Sequence, residues 1–490
     1  MMNHTSSQDD LREAMAAVAR CVEQGLWHEA MERLLPLKQR HPGQAHVLHM
    51  LGVVRQELGD ARGALDALSQ AVAILPDNAV FQLDLGLLLK KKGARPPAMD
   101  RLQEALRLAP DSEAAWFHLG DLHMDQGAID SAIDCFTHAT RLQPDFVEAW
   151  INLGLCQKSR NRPDLAHACF RAALRLRPDH ALAHVNLSMT LLMMERYPEG
   201  WQEYEWRFRL DRPSLSHPLP DRPRWQGEPL DGKTILLLGE QGFGDMIQFI
   251  RFADPLARMG ARVLVTVPTP LVRLLQRAPG VAKVQDHPQF NEPVHYYLPL
   301  LSVPGLLGTT IDTIPLNQGY LTPDPELARL WAERLTGSTF KVGVIWEGKP
   351  LHANDPLRRR SCPLKEWLPL AQVPGITLYS LQKSEGDGPL PTLAQLPLVP
   401  LHEHLTDFAT TAAIMTRMDL ILSIDSATAH LAGALGLPVW TLLPRAPDWR
   451  WGSTRNTTPW YASMRLFRQT VTDRWQDPIR AITLALEHRS

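Results

Sequence analysis

The sequence predicts an α-solenoid followed by two α/β units built on parallel sheets. Three observations carry that expectation. Over residues 11–212, columns of proline, glycine, alanine and large apolar residues return every 34 positions. A strand, a glycine turn and a helix follow one another at 233–259. A strand–helix–strand unit, the building block of a parallel sheet, recurs at 419–443.

The totals exclude several classes. At 490 residues and 44% hydrophobic, the chain is long and apolar enough for two to four domains. A net charge of −2 gives no electrostatic footprint for nucleic acid or an anionic membrane. The basic triplets Lys90-Lys91-Lys92 and Arg358-Arg359-Arg360 are short, and the first reads as a solvated helix end. Cys21, Cys135, Cys156, Cys169 and Cys362 show no C-x-x-C spacing, so they read as buried free thiols in a reducing compartment. Residues 1–10 form a polar tail without the basic and apolar regions of a leader. No stretch approaches the roughly 20 apolar residues of a membrane span, so the expected location is cytoplasmic.

The repeat columns are specific. Prolines stand at 42, 76, 110, 144 and 178, and Leu-Gly pairs at 51–52, 85–86, 119–120 and 153–154. Ala30, Ala64, Ala98, Ala132 and Ala166 form a small-residue column, and Leu34, Leu68, Leu102, Phe136 and Phe170 a large one. Small residues let paired helices approach, and proline stops the second helix. This pattern resembles the tetratricopeptide repeat, a helix–turn–helix unit. Such solenoids present a concave surface, so a protein or peptide in the repeat groove is the expected partner. In the last unit the frame persists but Gly200-Trp-Gln-Glu-Tyr-Glu-Trp206 is aromatic, as expected of a face that docks on the next domain.

Five prolines between Pro213 and Pro229 mark a stiff linker, with Trp225 placed to pin it. Beyond it, 230–325 reads as a first Rossmann-like domain and 326–490 as a second, with a cleft between them. In the first, a strand at 233–238 runs into Gly239-Glu-Gln-Gly242-Phe-Gly244-Asp245, then helical spacing over 246–259. Further strands fall at 262–267, 281–284 and 295–298, with a helix at 271–277. In the second, strands are expected at 341–346, 376–381, 420–424, 439–443 and 464–467. Helices are expected at 408–415, 426–435 and 477–487. Asp425 and Ser426 stand where a strand's carboxyl end meets a helix start, a place suited to a diphosphate.

These residues together are similar to bacterial tetratricopeptide-repeat glycosyltransferases. The catalytic part resembles glycosyltransferase family 9, the heptosyltransferases, and the layout is similar to that of the protein O-GlcNAc transferases. The resemblance implies a GT-B-like pair of domains, with the acceptor on the first and a nucleotide-diphospho-sugar on the second. It implies an inverting, metal-independent sugar transfer without cofactor. Asp245 matches the proposed base of that family, and Asp425, Ser426, Thr428 and His430 match its donor-side motif. Lys349 and Arg360 would neutralise the diphosphate, with Gln382 and Lys383 reaching the nucleotide. His352, Asn354 and Asp355 match a neighbouring segment, and 447–451 with 459–461 match its aromatic stretches.

Each residue also has a plainer reading. Asp245 and Ser426 are good helix caps, His430 a core histidine, and Arg360 a surface ion pair. No D-x-D suggests a bridging metal, and no G-x-S-x-G suggests a hydrolase. Two departures stand out: Thr410 where the family carries an aspartate, and a first domain of roughly 95 residues, small for its class. The alternative is a non-catalytic repeat scaffold with a degenerate nucleotide-binding module.

Overall fold

The structure is a computed structural model that describes residues 2–210, 215, 219–289, 292–348, 360–383 and 395–489, with backbone alone at 2–9. Lys349, His352, Asn354 and Asp355 lie outside the described residues. The chain divides into two compact units, residues 1–159 with 168–178, and residues 160–167 with 179–490.

Helices come in pairs at the N-terminus. The first pairs are α1 (Met2–Glu23) with α2 (Trp27–Arg40), α3 (Ala45–Glu57) with α4 (Ala61–Ile74), and α5 (Ala79–Lys91) with α6 (Arg95–Leu108). Next come α7 (Glu113–Asp125) with α8 (Ile129–Leu142), and α9 (Val147–Ser159) with α10 (Pro163–Leu176). The last pair, α11 (Ala181–Met193) and α12 (Tyr197–Tyr204), belongs to the second unit. α1 runs through the segment read as a polar tail.

The columns have a direct cause. A Cβ added at Gly52 would fall 2.6 Å from Leu68, at Gly86 3.1 Å from Leu102, and at Gly154 2.6 Å from Phe170. Each Leu-Gly glycine therefore makes room for the large residue of the partner helix. A column not apparent from the pattern of apolar residues closes each turn. Gly25, Gly59, Gly93 and Gly127 all have φ between 71° and 83°, and Asn161 and Glu195 hold the same left-handed place at 54° and 62°. Glycine and asparagine take that conformation readily; glutamate does so at a cost. All five cysteines are buried, and none of them forms a disulfide.

The second unit holds two sheets. The first contains β1 (Thr234–Leu238), β2 (Arg262–Thr266), β3 (Val281–Gln285) and β4 (Tyr296–Pro299), parallel throughout in the order β3-β2-β1-β4. Its helices are α13 (Phe243–Phe249), α14 (Ala253–Arg258), α15 (Thr269–Leu275) and α16 (Val303–Leu306). α17 (Pro325–Arg334) leads to the second sheet. There β5 (Phe340–Ile345), β6 (Ile376–Ser380), β7 (Leu398–Pro400), β8 (Leu420–Ile424), β9 (Val439–Leu443), β10 (Thr457–Thr458) and β11 (Tyr461–Arg468) lie in the order β10-β11-β9-β8-β5-β6-β7. Among the described residues of this sheet, only β10 runs antiparallel to its neighbour. α18 (Phe408–Met415), α19 (Ala427–Ala434) and α20 (Gln476–Glu487) flank it.

The helical stretch expected over 246–259 is broken by a 3₁₀ turn at Ile250–Phe252. Pro255 explains the break, because its ring would meet the carbonyl of Arg251 in a continuous helix. The linker's Trp225 is buried; its backbone N–H donates to the carbonyl of Tyr297 at 3.0 Å, so it lies along the edge of the first sheet. Tyr197, Trp201 and Tyr204 of α12 join one hydrophobic core with β1, α13 and the 449–461 segment. A second core, on the other face of the larger sheet, is closed by α20.

A Gly→Ala change inside a helix ordinarily stabilises it by about 1 kcal/mol. At Gly154 we expect the opposite: overpacking against Phe170 costs about 1–3 kcal/mol, seen as a lower urea midpoint by far-ultraviolet circular dichroism. Pairing Gly154→Ala with Phe170→Leu should recover most of the loss.

Candidate functional site

Two helix starts meet in the second unit. β1 ends in the glycine turn that opens α13, and β8 ends at Asp425, where α19 opens. A Cβ on Gly244 would lie 2.8 Å from Cδ2 of His430 and 3.3 Å from Cα of Ala427, so only glycine allows this approach. Gly239 gives the same kind of clearance, since a Cβ there would meet Sδ of Met246 and the carbonyl oxygen of Thr266 at 2.7 Å. Gly242 stands at the N-cap of α13.

Asp245 has both oxygens engaged. Oδ2 accepts from the Gly242 backbone N–H at 2.9 Å, the capping use, and Oδ1 pairs with Nη2 of Arg450. Arg450 is nearly buried and also donates to Asp448 at 2.8 Å and to Oε1 of Gln248 at 2.5 Å. Its guanidinium lies 4.3 Å over the Trp449 ring. Burial works against the Arg450 charge, but Asp448 and Asp245 outweigh it and hold the arginine protonated. Burial likewise opposes ionisation of Asp448, yet Arg450 holds its carboxyl below the usual range.

Asp425 and His430 are driven towards neutrality. Burial first, and then the negative charge of Asp448, push the Asp425 carboxyl up to about 6 against the pull of Arg360 and Arg450. Nε1 of Trp451 lies close enough to favour the ionised form of Asp425 but closes no hydrogen bond. Burial and then the Arg450 charge push the His430 imidazole down to about 3. Its Nδ1 lies 2.9 Å from the hydroxyl of Tyr461, and its ring stacks on Trp451 at 5.1 Å.

The other expected residues divide. Arg360 belongs to this electrostatic cluster, since its charge acts on both Asp425 and His430. Ser426 caps α19 through the Ala429 N–H at 3.3 Å and meets Ser423 at 3.0 Å, so its hydroxyl is in local use. Thr428 is half-buried in the first turn of α19. Gln382 is a structural group, its Oε1 accepting from the N–H groups of Trp346 and Glu347 at 3.3 and 3.1 Å. Lys383 is exposed beside it. Thr410 contributes its backbone N–H to the Asp407 cap of α18 at 2.7 Å.

Sequence reasoning gave no polar role to Glu240, Gln248, Arg251, Asp448 or Arg450. The signal was present in Asp448-Trp-Arg-Trp451, which places two charges among bulky apolar side chains. Glu240, inside the glycine turn, is fully buried and accepts from Nε and Nη2 of Arg207, each at 2.9 Å, tying the end of α12 to the turn. Among the described residues no group of His, Cys, Asp and Glu suits a metal, and no helix is long and apolar enough to cross a membrane.

Comparison with known proteins bears on the N-terminal part. Tetratricopeptide-repeat family profiles match residues 98–153 and 147–180. The N-terminal helices are tetratricopeptide repeats. In such repeats paired helices provide surfaces for peptide and protein partners. Protein FlbA of Caulobacter vibrioides is 27% identical over 341 aligned residues, covering 61% of this chain and 54% of FlbA. The chain thus spans about half the length of that curated relative. Solved structures similar to the repeats include MamA (21% identical, 32% of this chain, 93% of that chain, TM-score 0.31). They also include YrrB, described as a tetratricopeptide-repeat protein with an unusual peptide-binding site (18% identical, 35% and 89%, TM-score 0.33). PilF of Pseudomonas aeruginosa is a third (17% identical, 42% and 93%, TM-score 0.39).

Asp425 gives the site a pH signature. Its folded carboxyl titrates at about 6, above the unfolded value near 3.8, so its neutral form stabilises the fold at pH 4. That contribution is lost as pH rises through 6. Relative to the parent chain, Asp425→Asn should therefore gain stability between pH 4 and 7, on the order of 2–3 kcal/mol. Urea melts followed by near-ultraviolet circular dichroism check this; parallel pH profiles for the two proteins would contradict it.

Proposed function

We propose that this chain is a metal-independent glycosyltransferase of GT-B type, moving a sugar from a nucleotide-diphospho-sugar to an acceptor hydroxyl. The observation that supports it most is the meeting of the α13 and α19 starts, Gly244 against His430, with Asp245 beside them. The nucleotide-sugar lies on the α19 side and the acceptor on the α13 side. The acceptor oxygen bonds to the anomeric carbon as that carbon's bond to the diphosphate oxygen breaks. The hydroxyl proton passes to Asp245, and the diphosphate leaves with the bonding pair on the opposite face, which inverts the configuration. Arg360, the first N–H groups of α19 and Lys349 receive the departing charge. The repeats recruit a protein partner or present the acceptor.

A second reading is a non-catalytic scaffold whose sheets sense a nucleotide without turnover or are inert. The observation in its favour is that Asp245 already caps α13 and pairs with Arg450.

Calorimetric titration of the intact chain with UDP and with ADP, each with and without Mg²⁺, separates the two. The transferase reading expects binding to at least one, unchanged by Mg²⁺, and sugar release from the matching nucleotide-sugar. Asp245→Asn should keep nucleotide affinity and lose about 100-fold or more in turnover. Absence of binding to either nucleotide would leave the scaffold as the answer, and full turnover by Asp245→Asn would remove Asp245 as the base.

A further inference from the structure

Arg251 is a cation with zero exposure and, among the described residues, no carboxylate partner. A buried charge without a counter-ion is costly, so its surroundings have to compensate. They do so with oxygen atoms and ring faces. Nε donates to the carbonyl of Gln248 at 2.8 Å, near the negative end of α13. Nη1 donates to the carbonyl of Trp460 at 2.8 Å, and Nη2 to the hydroxyl of Tyr320 at 3.1 Å. The guanidinium carbon lies 4.5 Å from the Tyr320 ring centre and 4.8 Å from that of Tyr461. Arg251 thus joins the first-sheet helix that carries Asp245 to the second-sheet strand that carries Tyr461.

Tyr461 in turn reaches the site. Its hydroxyl is 2.9 Å from Nδ1 of His430. Its ring is wedged on α19, where a Cβ at Gly433 would come within 2.5 Å of it. Burial raises the Tyr461 phenol well above its ordinary range, so the hydroxyl keeps its proton. The Tyr320 hydroxyl also acts on the phenol but closes no hydrogen bond with it, and Arg251 has no lone pair to offer, so among the described residues Nδ1 is the one acceptor within hydrogen-bond distance. The hydrogen bond to Nδ1 is therefore donated by the phenol, and a neutral imidazole then carries its own proton on Nε2. His430 is 5% exposed, and Nε2 has no partner among the described residues.

We propose that Arg251 is a positioning residue: by fixing Tyr461 against α19 it holds His430 in the Nε2–H tautomer, a neutral donor for an oxygen of a diphosphate. The ligand class rests on the transferase reading; the tautomer does not. The charged groups acting on His430 are Arg450, Asp448, Arg251 and Arg360. Three of the four are cations, which oppose an imidazolium. A donor that needs no protonation keeps its hydrogen bond across the neutral pH range, unlike an exposed histidine.

The test is ¹⁵N–¹H spectroscopy of the intact chain labelled in histidine, with His430→Gln assigning one signal among 19 histidines. The expected signal is a neutral ring with bare Nδ1 and protonated Nε2 from pH 5 to 8, and inorganic pyrophosphate should shift Nε2. Tyr461→Phe should give a mixture of tautomers in a folded protein. Arg251→Met should do the same and weaken pyrophosphate binding about tenfold, the scale of one charge-assisted hydrogen bond, with Arg251→Lys falling between. If Arg251→Met does not fold, Tyr461→Phe and Arg251→Lys carry the comparison. A protonated Nδ1 in the parent protein, or a folded Arg251→Met with an unchanged His430 signal, overturns the proposal. Parent protein that shows the expected tautomer but binds neither nucleotide nor pyrophosphate overturns the transferase reading and leaves the positioning role standing.

Discussion

Two helices can begin face to face only where one of them gives up its side chain. Gly244 does so against His430, and the rest of the second unit is arranged around that contact. Both helices present the positive end of their dipoles there, and two such ends repel unless negative charge collects between them. Asp245, Asp425 and Asp448 supply that charge. Three carboxylates in a buried place repel in their turn. Arg450 is held between two of them, while Asp425 is pushed towards its neutral form. The close approach, the buried arginine and the perturbed carboxyl are consequences of one constraint.

The repeats were legible because each column reports one contact that recurs. Glycine meets Leu68, Leu102, Phe136 or Phe170 in successive pairs, so a single geometry is written four times. The turn column was harder to see, since its last two members are Asn161 and Glu195 rather than glycine. Glu195 is held there by an ion pair with Arg455 at 2.5 Å, a partner 260 residues away that no local pattern announces. In the α/β part the central strands stood out as apolar runs, and β8 and β9 have the expected bounds. β7 and β10 are edge segments of three and two residues, too short for a periodicity to show.

The candidate site divides along the same line. Asp425, Ser426, Thr428 and His430 form one strand-to-helix junction, so their placement together follows from local order. Asp245 and Arg450 are 205 residues apart and meet only through the packing of α13 on the second sheet's elements. Gln382 and Ser426 carry polar groups suited to a ligand, but the backbone ends beside them use those groups first. Arg251 gave no signal because its partners are carbonyls and rings rather than a matching charge.

On the proposed reading, the α13 and α19 starts form one ligand site. Hydrogen exchange of the intact chain with saturating UDP or ADP tests it most directly. Amides at 242–246 and 425–430 should gain protection together in the presence of the nucleotide that binds. Protection confined to one of these segments, or appearing only elsewhere in the chain, would contradict it.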